Sequence, residues 1–138
     1  DSDNDGHIAL TGEPDYVVTW PVHCIAGTAG AEYDPLLVTD AVTHHVRKGQ
    51  GVSGYSVFDG TTGDREAIAN VLAARGVTDI DVTGIATDYC VRVSALDALA
   101  RGFQVRVFTD LIAGVAETPS EAALAELAHA GADLEVSA

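Results

Sequence analysis

Basic residues are scarce in this chain. Seven Lys and Arg stand against 21 Asp and Glu in 138 residues, a formal charge of −14 at neutral pH. Such a surface repels phosphate backbones and anionic headgroups, which sets nucleic acid and membrane surfaces aside as partners and leaves small neutral or cationic ligands open. Long apolar runs are lacking too. No stretch approaches the roughly 18 to 20 apolar residues that a spanning helix needs, and the opening DSDNDGHIAL has neither a basic start nor an apolar h-region, so no export signal is expected. Cysteine is limited to Cys24 and Cys90, too few for a disulfide framework, and the pair reads as free thiols of a reducing, cytoplasmic compartment. The remaining composition, 47% hydrophobic and 20% charged, is globular, and the length suits one domain spanning residues 1–138.

From residue 40 onward, short apolar runs alternate with helical patterns, which predicts an α/β fold: a parallel sheet covered by helices. The β-branched segment AVTHHVR at 41–47 reads as a strand ending at Lys48, followed by a polar, Gly-rich loop over 48–64. Residues 65–75 read as a helix, with Ile68, Val71 and Leu72 on one face and Gly76 as a left-handed cap. Alternation of Ile80 and Val82 with Asp79, Asp81 and Thr83 predicts a strand over 79–85. A sharp turn at 86–89 then opens a helix over 90–101. A third strand is expected at 103–108 and a loop at 110–117. The last helix should start with Thr118 as cap, Pro119 at its first position and Glu121 completing a capping box. It is followed by a short strand at 134–136. Residues 1–40 hold three of the four prolines and the single Trp without clear periodicity, and read as a long loop region of the kind that is usually functional.

Cys90 falls where a strand gives way to a helix. A thiol at a helix N-terminus feels the positive end of the dipole, which favours thiolate, and the same N–H groups can hold the oxyanion formed when sulfur attacks a carbonyl. The plainer alternative is a small buried hydrophobe. Lys48, also at a strand end, is placed where parallel sheets bind ligands; its alternative is a solvated surface cation. His7 and His23 lie in the loop region near Asp1, Asp3 and Asp5, and two imidazoles with a carboxylate suit Zn, Fe or Mn with positions left open for water or substrate. Both could equally be surface histidines. His44 and His45 alternate in the predicted strand and receive no role. The DSDNDG opening lacks the glutamate at position twelve and the preceding helix of a calcium loop.

Three segments in this order, WPVHCIAGTAGAEYDP at 20–35, KGQGVSGYSVFDG at 48–60 and GIATDYCVRVSALDA at 84–98, resemble nicotinamidases of the isochorismatase-like cysteine hydrolase superfamily. The resemblance extends over essentially the whole chain, including DLIAGVAE at 110–117. It implies a three-layer, Rossmann-like parallel sheet flanked by helices, with strand order 3-2-1-4-5-6. It also implies Cys90 as nucleophile, Lys48 as the lysine that polarises it, and a cis Ile85–Ala86 peptide that turns the Ala86 N–H, with that of Cys90, toward an oxyanion. Trp20 and Tyr55 match aromatics of a pyridine pocket, bordered by Ile85. His23 matches a metal histidine, and His7 another, although its distance from Trp20 is about two residues longer than usual.

The implied reaction is hydrolysis of nicotinamide, and of pyrazinamide, through a cysteine thioester in pyridine nucleotide (NAD) salvage, with a divalent Zn, Fe or Mn ion holding the ring nitrogen. The family's general acid–base aspartate, in a segment like Asp-x-Gln-Asn-Asp, and its Asp-x-His metal pair have no counterpart in this sequence. The expectation is therefore a chain lacking the first two strands of the fold, inactive by itself. Alternatives are another isochorismatase-like amidohydrolase acting on carbamoyl or acyl amides, or a non-catalytic module keeping the fold. Homo-oligomerisation is left open.

Overall fold

The computed structural model describes residues 13–14, 20–49 and 53–138. The chain divides into two compact units, Asp1–Thr43 and His44–Ala138.

In the first unit, the described residues from 20 to 43 form turns and one 3-10 turn, Ala29–Ala31. None of them is buried. Local bonds shape the segment: the Thr28 amide and hydroxyl both donate to the Ile25 carbonyl, at 3.1 and 2.7 Å, and Asp34 Oδ1 accepts from the Leu36 amide at 2.8 Å. This agrees with the loop reading. His7 lies outside the described residues.

The second unit contains β1 (Val46–Arg47), β2 (Thr61–Thr62), α1 (Ile68–Ala74), β3 (Asp79–Ile85), α2 (Arg92–Ala100), β4 (Gln104–Ala113), α3 (Glu117–Ala130) and β5 (Asp133–Glu135). Strands β3, β4 and β5 are parallel neighbours in that order, with α2 and α3 packed together and α2 against β4. Two small, fully buried residues of α2, Ala95 and Ala98, let it lie close on Val105 and Val107 of β4, while Leu127 of α3 and Ala132 complete the core. Leu127 has no exposed surface, a burial that stabilises by about 1.5 to 3 kcal/mol.

Four expectations change. The strand expected over 41–47 reduces to β1, and it pairs antiparallel with β2, Val46 to Thr62 and Arg47 to Thr61. Of its β-branched residues only Val46 enters this short ladder, which closes the Gly-rich loop rather than extending the parallel sheet, and His44 and His45 lie before it. The loop expected at 110–117 is instead strand as far as Ala113, because β4 rejoins β3 after a bulge: Val82 faces Val107, whereas Gly84 faces Ile112. Thr109 Oγ1 donates to the Glu135 carbonyl at 2.9 Å and Asp110 Oδ1 accepts from the Ser137 amide at 2.9 Å, which holds the bulged segment.

The capping box at Thr118 does not form. Helix α3 starts at Glu117, its cap Ala116 makes no side-chain hydrogen bond, and Asp88 accepts from the Val115 and Ala116 amides just ahead of the helix. Lastly, α2 starts at Arg92, and residues 87–91 form a π-helical turn in front of it. Gly76 does close α1, at φ 64°, a left-handed conformation that glycine adopts without a Cβ penalty.

Candidate active site

The site is built at the carboxyl end of β3. Gly84, at φ 106°, takes a backbone conformation closed to L side chains, and the Ile85–Ala86 peptide that follows is cis. The chain then enters the π-turn Thr87–Val91, whose wide i→i+5 pattern appears in the 3.0 Å bond from the Val91 amide to the Ala86 carbonyl. Such turns recur at functional positions because they displace a side chain from its regular helical direction. Cys90 sits in this turn, half-buried and free of any disulfide.

Lys48, immediately after β1, reaches across 42 positions of sequence to place its Nζ 3.2 Å from Cys90 Sγ. The same ammonium donates to the Gly54 carbonyl at 3.5 Å and lies 6.0 Å from the centre of the Tyr55 ring. At that separation, an ammonium stabilises negative charge on sulfur. The Tyr55 ring in turn meets Tyr89, with centroids 5.2 Å apart and planes tilted by 54°. A cavity of about 410 Å³ opens beside these groups, lined by Lys48, Cys90, Phe58, Ile80, Val82 and Ile85 among others. That volume is on the scale of small-molecule sites. Ile85 is 75% exposed, an apolar side chain presented at the strand end.

The second unit thus brings together five of the residues singled out in the sequence: Lys48, Tyr55, Ile85, Ala86 and Cys90. Trp20, half-buried, and His23, exposed, belong to the first unit. Among the described residues, no three His, Cys, Asp or Glu side chains gather into a metal-binding group. His23 is the described member of the expected pair, so the described donors do not by themselves fit a complete metal centre.

Three residues with positions of consequence escaped the sequence reading. Ser94, one turn beyond Cys90 on α2, accepts from the Val57 amide at 2.9 Å and ties the Tyr55-bearing loop to that helix. Tyr89 supplies the second ring beside Tyr55. Asp88 accepts from the Val115 and Ala116 amides at 3.0 and 3.2 Å. All three stand within four residues of Cys90 in sequence, and that proximity was the available signal; their partners are distant in the chain and leave no periodicity.

The Isochorismatase domain family matches residues 11–137. A nicotinamidase/pyrazinamidase of Mycobacterium tuberculosis is 43% identical over 125 residues, covering 91% of this chain and 67% of its own. Among solved structures, PnC1 from L. infantum in complex with nicotinate superposes with a TM-score of 0.76 at 36% identity, covering 85% of this chain and 60% of the other. The pyrazinamidase of Pyrococcus horikoshii in complex with zinc does so with 0.72 at 36% identity, covering 86% and 63%. The chain therefore spans roughly two thirds of the length of these relatives. A parallel α/β sheet ending in a lysine–cysteine contact, a family match over nearly the whole sequence and relatives of this similarity together mean that the chain belongs to the isochorismatase family.

Proposed function

We propose that the protein of which this chain is the sequence hydrolyses nicotinamide to nicotinate and ammonia, and accepts pyrazinamide, by covalent catalysis at Cys90. The observation that carries this reading is the 3.2 Å approach of Lys48 Nζ to Cys90 Sγ at the end of β3, in a chain 43% identical to a nicotinamidase/pyrazinamidase. The thiolate, held by the Lys48 charge, adds to the carboxamide carbon. The Ala86 and Cys90 amides are assigned to the oxyanion that results. Collapse of the adduct breaks the C–N bond, and the nitrogen leaves as ammonia on receiving the proton given up by the Cys90 thiol, passed on by a general acid–base group. Water then cleaves the thioester, regenerating the thiol and releasing the carboxylate. Trp20, Tyr55 and Ile85 are assigned to the aromatic ring of the substrate, Tyr55 with the better support because its ring adjoins the Lys48 ammonium.

A divalent ion belongs to the same reading, with His23 and His7 among its ligands; imidazole donors suit Zn, Fe and Mn. The zinc complex of the Pyrococcus relative supports this assignment. No step above passes through the ion. We also read residues 1–138 as parts of one hydrolase domain acting on a small molecule in a reducing, cytoplasmic compartment, in NAD salvage. Among the described residues, no helix is long and apolar enough to cross a membrane.

The decisive experiment measures ammonia release from nicotinamide by the full-length protein, with and without chelator, beside Cys90→Ala. Turnover in the parent and none in the variant is expected. Equal rates in the two would end the proposal.

A further inference from the structure

We infer that Asp88 is a positioning residue for the nucleophile, holding the Cys90 turn in place by binding the two backbone amides just ahead of α3, 27 and 28 residues further along the chain, an inference that rests on the function proposed above. Asp88 stands two residues before Cys90 in the π-turn. Its Oδ1 accepts from the Val115 amide at 3.0 Å and its Oδ2 from the Ala116 amide at 3.2 Å. These amides form the entrance to α3, a helix of 14 residues whose cap, Ala116, has no side chain able to accept a hydrogen bond. The first N–H groups of a helix lack intrahelical partners and lie at the positive end of its dipole. Val115 and Ala116 stand just ahead of the first helical residue, so the Asp88 carboxylate satisfies two donors at the mouth of the helix and opposes that charge.

The junction is built for close approach. A Cβ at Gly114 would collide with Ser120 Oγ and come within 3.4 Å of Asp88 Oδ1, while Ser120 Oγ donates to the Ala116 carbonyl at 2.6 Å. With each carboxylate oxygen accepting from a backbone amide, Asp88 is well placed to fix the turn. Lys48 meets that turn at Cys90, and Ser94 ties α2 to the loop bearing Tyr55. Release of the Asp88 clamp should therefore disturb the sulfur's placement against Lys48 rather than its chemistry. Displacements of about 1 Å at a reacting atom cost up to a hundredfold in rate.

The test compares Asp88→Asn, Asp88→Ala and a packing control, Leu127→Val, in the full-length protein. Three quantities are read: kcat and KM for nicotinamide, the melting temperature, and the rate of iodoacetamide labelling followed by mass at the Cys90-containing peptide. The expected result is a fall in kcat of roughly tenfold for Asp88→Asn and up to about a hundredfold for Asp88→Ala. KM should change less than threefold, and Cys90 labelling should slow about fivefold or more. Leu127→Val should lower the melting temperature while leaving kcat and labelling within twofold. Parental kcat and labelling in folded Asp88→Asn would overturn the inference, as would equal losses in the packing control. If Asp88→Ala fails to fold, Asp88→Asn decides. If the parent releases no ammonia, the functional proposal fails separately, and the labelling rates still judge Asp88.

Discussion

The two units hold their chemical residues in different ways. In the second, Lys48 and Cys90 come from segments 42 positions apart, and their meeting is enforced by a sheet, a π-turn and a core centred on Val107 and Leu127. In the first, Trp20 and His23 sit on a segment from 20 to 43 without a buried residue, shaped by four-residue turns. A nucleophile and its counter-charge need sub-ångström placement, which a packed core provides. A ligand to a metal can be ordered by the metal itself, because binding supplies the free energy that the local chain does not.

The sharpest way to break this contrast is Cys90→Ala, expected to lower nicotinamide turnover at least about a thousandfold, since the covalent route is lost outright; ammonia release by the full-length protein reads it. Lys48→Ala follows, with an expected loss in kcat of roughly a hundredfold, on the scale of removing one preorganised charge from a reacting centre. It should be accompanied by slower alkylation of Cys90. Leu127→Ala tests the core between the sheet and its helices and should cost about 2 to 5 kcal/mol in urea unfolding.

Acid should act more gently. Asp81, Asp110 and Glu126 are held below the ordinary carboxylate range by hydrogen bonds from Arg106, Ser137 and Arg92 respectively. Lowered folded values mean that their contribution is complete above the ordinary range, about pH 4, and is lost as pH falls through the lowered values. All three are solvent-exposed, so a shallow decline in melting temperature below pH 4 is expected, steeper at low salt. The smallest effect on stability belongs to His23→Ala, expected within about 0.5 kcal/mol because the side chain is exposed, yet with reduced metal content in the full-length protein. A large loss of stability there would show that the first unit relies on packing after all.

The strand at β3 and the helix at α1 were legible because each satisfies a local period: alternation in DIDVTGI, and apolar positions three and four apart in α1. Cys90 was legible through its place at a strand-to-helix junction. The cap of α3 was not. Thr118, Pro119, Ser120 and Glu121 make a good local start signal, but the helix starts at Glu117 with Ala116 as its cap, and Asp88, from another element, accepts from the two amides just ahead of it. The bulge in β4 was hidden likewise, since the residues that hold it, Thr109 and Asp110, bond to Glu135 and Ser137.

By itself, the sequence determined the class of fold and the acidic balance of charge, because these depend on residue type and periodicity along one chain, and its resemblance to a known family nominated the residues proposed as reactive. The meeting of the Lys48 ammonium with the Cys90 sulfur, and the bond between Asp88 and the start of α3, were decided by tertiary structure alone. Their partners lie 42 and 27 or 28 positions apart, and at such separations contact follows from how sheet and helices pack, a property that no local pattern encodes.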